Sequence, residues 1–503
     1  ASEVKSLATS TGTKVIVNEP LVVNTGGVTL APSSTFEVAN TVDVTGNVEV
    51  GSGSKLNFTT ANTLKITGDL ILKADNAGTF SANLGSGGIN VVGSGKVKYQ
   101  RTIDDTKWYF MAFPCDVNVS EITGGGAIDV DWFIQQYNGQ KRATNGAGAN
   151  WEHVTSGVLT ANRGYIFGSA AGDKTLTFLL TKAIVASESA KTIGVTNYTG
   201  ATASTNYGWN LVGQPYISKY DANNGSNMSN MYIFDGLTYK DHYNNIYKQD
   251  LPVVDPFTAY FTKVVANGSL SFDLTSRQST RSSVSTIIAD VVYLDFTTAT
   301  GTDRTNIVMD DTQSANYQNG VDYEKMITTG TAIPQVYTVL DGLNYSFNVL
   351  PTSSVVNLPL AIYTKTAGST TISVDATKAK SLSKLLLLEN GVVVADLLTS
   401  DYKFTAASGT STTRFSITAQ RIATDNNQIG NNLDAPKLSI VNCQLSIENL
   451  SPNSSVRVYD ALGRMLVSKT ANSNMMEIKL GARGIYTVLL QNGTTISTRK
   501  IIF

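Results

Sequence analysis

A short repeat near the N terminus restricts the fold more than any other feature of this 503-residue sequence. Residues 41–50 read Thr-Val-Asp-Val-Thr-Gly-Asn-Val-Glu-Val, and residues 63–72 repeat the pattern 22 positions later. Related versions lie at residues 21–30 and 89–99. Each unit holds two short strands around a glycine bend, and a period near 20 residues is typical of β-solenoid coils. We therefore predict a short solenoid of four coils over residues 1–103, with an ordinary β-meander as the alternative.

The charge balance removes several classes of partner and site. Thirty-eight Lys and Arg face 39 Asp and Glu, so no basic surface is expected for nucleic acid or an anionic membrane. No apolar run approaches the roughly 18 residues of a membrane-spanning helix. Cys115 and Cys443 fall in different predicted domains, so we expect no disulfide, and two cysteines cannot form a zinc site. With only His153 and His242, a histidine-based metal or catalytic site is disfavoured.

The first residues carry neither a charged region nor an apolar core of the kind that a signal peptide has. We interpret the sequence as a mature protein whose signal peptide has been removed. Threonine, serine, asparagine, glycine and valine dominate, while long stretches of helix-forming residues are missing, which is typical of an extracellular all-β protein. The length calls for several domains.

A larger duplication follows over residues 104–281. Trp108 and Pro114 in one block correspond to Trp209 and Pro215 in another, both at an offset of 101. Three further pairs of blocks recur in the same order, at residues 132–139 and 231–236, 163–167 and 258–262, and 175–179 and 269–274. We predict two copies of one β module, at about 104–190 and 205–281, in which the paired tryptophans anchor the core. The alternative is that the paired tryptophans and prolines contact a ligand.

The second copy contains the densest aromatic segment of the chain, between Tyr232 and Tyr247. Exposed tyrosines next to amides and carboxylates are typical of surfaces that bind sugars or other proteins. This composition predicts a ligand-contact site formed by Tyr239, Asp241, Tyr243, Asn244 and Tyr247. The alternative is a long hairpin whose tyrosines pack on its own base.

Residues 282–424 alternate in the manner of a β-sandwich, with turns every 8 to 20 residues. No cofactor is expected there or elsewhere, apart from the alternative that a calcium ion is held by four acidic residues, Asp310, Asp311, Asp322 and Glu324. Their spacing is not that of an EF-hand, and acidic loop residues are usually solvated. Residues 425–434 form a polar linker rich in Asn.

The last segment, residues 435–503, consists of short alternating stretches bounded by Gly, Asn, Ser or Pro, which predicts a small Ig-like sandwich. Three blocks carry a resemblance: Val-Arg-Val-Tyr-Asp-Ala-Leu-Gly-Arg at 456–464, Leu-Gly-Ala-Arg-Gly-Ile-Tyr-Thr-Val at 480–488, and Arg-Lys-Ile-Ile at 499–502. They resemble the type A C-terminal sorting domain of the bacterial type IX secretion system. The residues that match the sorting signal are Gly463, Arg464, Gly484, Tyr486, Arg499 and Lys500.

This resemblance implies a Gram-negative host, passage across the outer membrane, and a location outside the cell or on its surface. It implies the type IX secretion machinery as a partner, and usually removal of the tail with attachment to surface lipopolysaccharide. The order of the remaining domains resembles that of uncharacterised multi-domain bacterial surface proteins. The resemblance indicates where the protein works but not what it does there.

Motifs of common enzymes are missing: there is no G-x-S-x-G elbow, no H-E-x-x-H and no P-loop. The sequence therefore favours a non-enzymatic, structural or adhesive surface protein. One alternative is a glycan-binding protein that uses the aromatic segment. The other is a carbohydrate-active enzyme, although no pair of carboxylates stands out.

Overall fold

The computed structural model describes residues 1–148, 150–222, 227–234, 239–243, 252–277, 289–328, 331–422, 436–441, 444–481, 484–492 and 495–502. The chain forms two compact units, one of residues 1–380 with 385–419 and one of residues 381–384 with 420–503. The fold is almost entirely β, as predicted. The described helices are short, with α-helices at Gly139–Asn145 and Ala183–Ala186 and 3-10 turns at Val119–Glu121, Ser204–Asn206 and Thr352–Ser354. Within the described residues, no helix is long and apolar enough to span a membrane.

The N-terminal repeat forms the predicted solenoid, in which each coil adds one strand to each of three parallel sheets. The first sheet contains Ser2–Val4, Leu21–Val23, Val42–Val44, Thr63–Ile66 and Gly88–Val91. The second contains Leu7–Ala8, Val28–Leu30, Val48–Val50, Leu70–Asp75 and Val97–Ile103, with Gly78–Thr79 paired to its fourth strand. The third contains Lys14–Val17, Thr35–Val38, Lys55–Phe58 and Ser81–Asn83.

Stacking of equivalent residues explains why the repeat folds this way. Val23, Val44 and Ile66 occupy neighbouring positions in successive coils and are almost completely buried. At the corner between the first two sheets, Gly27 has a φ of 66°, and an added Cβ would lie 2.2 Å from the carbonyl oxygen of Asn47 in the next coil. Only glycine fits this close approach of two backbones.

The duplicated segment forms two sets of eight strands with the same connectivity. In each set the first strand pairs with the eighth, the third with the sixth, and the second, seventh, fourth and fifth form a sheet in that order. The first set is Val97–Ile103, Tyr109–Ala112, Val117–Asn118, Trp132–Tyr137, Trp151–His153, Val158–Leu159, Gly164–Ser169 and Lys174–Leu180. The second is Lys191–Val195, Trp209–Gly213, Tyr220–Asp221, Asn230–Phe234, Tyr239–Tyr243, Val253–Val254, Ala259–Lys263 and Gly268–Phe272.

The copies therefore begin at residues 97 and 191, one strand earlier than the sequence boundaries at 104 and 205. Val97–Ile103 belongs to two structures at once. It is the last strand of a solenoid sheet, and it pairs in antiparallel register with Lys174–Leu180 of the first copy. The first copy thus closes the end of the solenoid, which would otherwise expose unpaired backbone groups. Sequence alternation could not show this because the shared strand satisfies both patterns.

Residues 290–421 form one continuous eleven-stranded sheet rather than two hydrogen-bonded sheets. The sheet folds over itself, since Phe404 contacts Phe415 at 4.8 Å between ring centroids although their strands are not hydrogen-bonded neighbours. Its strands are Asp290–Thr298, Gly301–Met309, Tyr323–Glu324, Gln335–Leu340, Leu343–Leu350, Leu358–Thr364, Gly368–Lys378, Leu382–Glu389, Val392–Asp396, Tyr402–Ala406 and Gly409–Arg421.

The C-terminal unit contains a three-stranded and a four-stranded antiparallel sheet around a core of its own. In order across each sheet, the strands are Lys437–Val441, Gln444–Glu448 and Met475–Lys479, and then Met465–Thr470, Ser455–Asp460, Ile485–Asn492 and Thr495–Ile502. Alternate residues such as Val456 and Val458 point into the core, as the period-two pattern predicts.

Candidate functional sites in the duplicated module and the C-terminal domain

The aromatic segment of the second copy turns inward where the structure describes it. Tyr232 is buried, and its hydroxyl donates a hydrogen bond to the carbonyl oxygen of Glu324 at 2.9 Å. The ring of Tyr239 packs against Phe110, Phe234 and Phe261, with centroid distances between 5.3 and 6.1 Å. Burial raises the pKa of Tyr239. The ring of Tyr239 is thus half-buried against the core between the two copies rather than freely exposed.

Asp241 is also buried. Its side chain is 6% exposed and forms an ion pair with Lys325, whose ammonium lies 3.3 Å away. For Tyr243 the structure describes only the backbone, which pairs with Asn230, and Asn244 and Tyr247 lie outside the described residues. Ligand contact by those three residues stays a prediction, but it no longer has the support of an exposed Tyr239 or Asp241.

The four acidic residues considered for calcium do not gather at one point. Asp310 accepts hydrogen bonds from the backbone and hydroxyl of Thr312, and Asp311 accepts one from the backbone of Thr352. Glu324 pairs with the ammonium of Lys263 at 2.6 Å. In the part of the chain that the structure describes, no group of three or more His, Cys, Asp or Glu could hold a metal ion.

The fourth of these residues, Asp322, is a buried carboxylate held by backbone groups alone. Its two oxygens accept hydrogen bonds from the N–H groups of Val349 at 2.8 Å and Gln318 at 2.7 Å, and the residue is 2% exposed. Burial raises the pKa of Asp322 to about 6, although both hydrogen bonds act in the opposite direction. Near pH 5 the Asp322 side chain is therefore mostly the neutral acid in the folded protein, whereas it is mostly ionised in the unfolded chain.

This pKa predicts a pH dependence of stability. The folded state keeps a proton on Asp322 at pH values where the unfolded chain has released it. The contribution of Asp322 to the free energy of unfolding is therefore greatest below about pH 3.8, falls as the pH rises to about 6, and stays low above that pH. A rise from 3.8 to about 6 corresponds to roughly 3 kcal/mol. Urea denaturation between pH 4.5 and 7.0 measures the slope. Asp322→Asn should show a shallower slope, because the neutral amide does not titrate, and an unchanged slope would contradict the assignment.

In the C-terminal domain, Gly463 and Arg464 form the turn between Ser455–Asp460 and Met465–Thr470. Gly463 has a φ of 77°, a conformation that favours glycine. Asp460 accepts hydrogen bonds from the backbone N–H groups of Leu462 and Arg464 and from the Arg464 guanidinium at 2.7 Å. These bonds lower the pKa of Asp460. Gly463 and Arg464 therefore shape a tight turn.

The other matched residues lie on the last two strands. Tyr486 is 6% exposed and belongs to the core of the domain, and Gly484 directly precedes its strand, Ile485–Asn492. Arg499 is half-buried and pairs with Val488, whereas the structure describes only the backbone of Lys500, which pairs with Thr487. The signal residues thus include both core and surface positions.

The edge strand that follows the Gly463 turn exposes apolar side chains. Leu462 is 79% exposed, Met465 58% and Leu466 48%. Among the described strands, Met465–Thr470 pairs with Ser455–Asp460 alone, at the edge of its sheet. An exposed apolar edge strand is usually covered or charged in soluble proteins because it readily pairs with another chain. Here it is a candidate contact surface.

A second candidate site, a cleft of about 240 Å³, lies between the solenoid and the two module copies. The sequence pattern did not indicate this cleft. It predicted that Trp108 anchors the core, whereas the residue is 38% exposed and lines the cleft. The sequence places Lys107 next to Trp108, with Arg101 six residues before Lys107. This grouping could have pointed to a binding site, but whether the three side chains line a cleft depends on which segments pack beside them. The charged and aromatic residues that line the cleft include Asp75, Arg101, Lys107, Trp108, Tyr109 and Asp255.

Comparison with known proteins identifies the C-terminal domain. Residues 435–503 match the family described as the secretion system C-terminal sorting domain, as the sequence predicted. No curated protein is significantly similar to the chain. Among solved structures, similarity is found to PorZ, described as an essential bacterial surface component of the type IX secretion system of Porphyromonas gingivalis. The identity is 11% and the TM-score 0.13, over 59% of this chain and 58% of that one.

A second solved structure is a biofilm-associated protein BSP domain, with 9% identity and a TM-score of 0.13 over 79% of this chain and 67% of that one. The chain thus spans a little over half the length of the PorZ chain. At these TM-scores neither structure bears on function. The sorting domain itself implies export through the type IX system to the cell surface or extracellular space.

Proposed function

We propose that this chain, whose residues 435–503 are a sorting domain of the type IX secretion system, is a non-enzymatic structural or adhesive protein displayed on the outer cell surface. The sorting domain is the observation that carries the proposal. It lies in a compact unit separate from residues 1–380, with a core that includes Leu445, Val456 and Tyr486. A signal built as its own folding unit can be recognised, and later removed, without disturbing the cargo that precedes it.

Buried polar contacts between modules support a structural role for the cargo. Copy two is tied to the eleven-stranded sheet by the Lys263–Glu324 ion pair and by the buried Lys325–Asp241 pair. Arg277 pairs with Glu188 and donates to the carbonyl oxygen of Gly85 in the solenoid at 3.3 Å. Such contacts lose much of their energy when the geometry changes, so they favour one fixed arrangement of the modules. A stiff surface component benefits from that property.

We further propose that the secretion machinery contacts the exposed edge strand of the sorting domain, and that the mature protein is attached to surface lipopolysaccharide after removal of the tail. Leu462, Met465 and Leu466 present apolar area without supporting the core. Burial of such side chains contributes to binding at about 25 cal/mol per Å² before the costs of association.

Replacing Leu462, Met465 and Leu466 with Ser in the native host should abolish most of the surface display and leave the protein in the periplasm, because the contact area is lost while the core residues remain. Protease accessibility on intact cells and cell fractionation measure the result. The matched control is Val392→Ser with Val393→Ser, an exposed apolar pair outside the sorting domain. It should be displayed normally.

Two further outcomes separate the parts of this proposal. A chain ending at residue 431 should also remain in the periplasm, and its normal display would contradict export through this domain. If that truncation fails to reach the surface while the triple serine variant reaches it normally, the edge strand is not the contact.

Attachment to lipopolysaccharide predicts a heterogeneous rise in the apparent mass of the surface form on gels.

A further inference from the structure

The two equivalent tryptophans of the duplicated module have opposite environments. Trp209 is completely buried, and the guanidinium of Arg142 and the ammonium of Lys263 lie 5.5 and 5.6 Å from its ring centroid. Trp108 occupies the corresponding place at the start of the second strand of copy one, yet it is 38% exposed. The same position of the module is therefore covered by other side chains in copy two and partly open to solvent in copy one. The part of the Trp108 ring that stays exposed is available for contact with a ligand in the cleft.

The ring of Trp108 is held flat against the sheet. It lies opposite Gly168, and a Cβ added there would be 2.9 to 3.1 Å from three consecutive atoms of the six-membered ring. Nearly equal distances to three adjacent atoms place Gly168 under the face of the ring rather than at its edge. The glycine thus provides the space in which the indole lies.

Two cations stand beside the ring of the next residue, Tyr109. The guanidinium of Arg101 and the ammonium of Lys107 lie 5.0 and 5.2 Å from the centroid of that ring, and both residues line the cleft together with Trp108. Arg101 donates one hydrogen bond to the backbone carbonyl of Asp75 at 3.1 Å, and its Nε is buried without a hydrogen-bond partner. Among the described residues, neither cation has a carboxylate within 4.0 Å.

The acidic residues that line the cleft are engaged elsewhere. Asp75 accepts hydrogen bonds from the N–H groups of Ala77 and Gly78 and from the hydroxyl of Ser52. Asp255 pairs with the ammonium of Lys219 at 2.7 Å. The cleft therefore offers two cations that form no direct ion pair with a described carboxylate, together with the partly exposed ring of Trp108. This combination suits an anionic ligand with an apolar ring surface.

We propose that this cleft binds a single acidic sugar residue of a longer glycan, with the sugar ring stacked on Trp108 and its carboxylate or sulfate between Arg101 and Lys107. The volume of about 240 Å³ lies just below the range of roughly 300–1,000 Å³ for drug-sized ligands, which fits one substituted ring whose chain continues into solvent. A nucleic acid is the less favoured ligand, because its affinity depends on many phosphate contacts and this cleft offers two cations.

Titration calorimetry of the full chain tests the proposal with four probes: an oligogalacturonate, a sulfated chondroitin oligosaccharide, a neutral cello-oligosaccharide and a single-stranded oligonucleotide. Binding of one or both acidic saccharides, weakened by salt, is the expected result, and the two acidic probes separate carboxylate from sulfate. Equal binding of the neutral saccharide, preferential binding of the oligonucleotide, or no binding of either acidic saccharide would overturn the proposal.

Three variants locate the site. Trp108→Ala and Lys107→Gln should each weaken binding at least about tenfold, the loss expected when one important contact residue is removed. Gly168→Ala should do the same by displacing the indole. The matched controls are Lys65→Gln, at an exposed lysine of the solenoid, and Tyr317→Ala, at an exposed aromatic residue. Both should bind as the unaltered chain does. If Trp108→Ala and Lys107→Gln bind normally, the cleft is not the site. The purified protein is used, so the result is independent of export.

Discussion

Replacing Lys325 with Met should lower the free energy of unfolding by about 3–5 kcal/mol. Lys325 is 3% exposed, and its ammonium contacts the carboxylates of Asp303 at 2.8 Å and Asp241 at 3.3 Å. Burial opposes the charge on Lys325, but the two carboxylates outweigh it and raise its pKa above the ordinary value. Without this cation, two carboxylates would remain close together in the interior with no opposite charge. The large loss comes from that uncompensated burial.

Urea denaturation followed by tryptophan fluorescence measures this loss. All four tryptophans lie in residues 108–209, so the signal reports the first compact unit and not the sorting domain. The matched control is Lys14→Met, which breaks an ion pair of similar length whose lysine side chain is 53% exposed. It should cost less than about 1 kcal/mol.

A second comparison separates charge from packing at Lys325. Adding Asp241→Asn and Asp303→Asn to Lys325→Met removes all three charges and should restore part of the stability, since apolar or neutral replacements of a complete buried network are often tolerated. A single Lys325→Met variant as stable as the unaltered chain would show that the carboxylates take up protons without cost, and would contradict the proposed role of the network.

Replacing Trp209 with Ala should cost about 3–5 kcal/mol. The ring is completely buried, stacks edge-to-face on Tyr232 at 4.9 Å, and donates a hydrogen bond from Nε1 to the carbonyl of Thr205 at 2.8 Å. Its removal leaves a cavity between copy two and the eleven-stranded sheet. It also removes the aromatic face next to the buried guanidinium of Arg142.

The equivalent Trp108→Ala is the matched control, because it makes the same chemical change at the corresponding position of the other copy. It should cost less than about 1 kcal/mol, since the ring is partly exposed and supports little of the core. The same denaturation assay measures both variants through the three tryptophans that remain. Equal losses would contradict the assignment of Trp209 to the core and Trp108 to the surface cleft.

The module duplication illustrates how far sequence pattern extends. The matched blocks around Trp108 and Trp209 predict two copies, because the order of strands follows from which segments alternate and where turns fall, and the two sets of strands share one connectivity. They could not indicate that copy one shares its first strand with the solenoid or that copy two begins at Lys191. Those features depend on backbone pairing between segments that are distant in the sequence.

The candidate site residues show what the sequence pattern could not predict, namely which side chains become buried. Tyr239 and Asp241 have the composition of a binding surface, yet Tyr239 lies against Phe110, 129 positions earlier, and Asp241 against Lys325, 84 positions later. A polar or aromatic residue on a strand has the same local pattern whether its face is covered by another module or by solvent. Composition therefore identified the segment but not its environment.

The sequence by itself determined the all-β class, the solenoid and the sorting domain. Period, alternation, glycine positions and motif order are properties of the chain that local geometry converts directly into strands and turns. Only the tertiary structure decided that Trp209 is buried, that Trp108 is open to a cleft with Arg101 and Lys107, and that Lys325 is enclosed with two carboxylates. The physical reason is that burial and charge pairing depend on which surfaces pack together, and the strands that form these surfaces are joined by long-range contacts rather than by neighbouring residues.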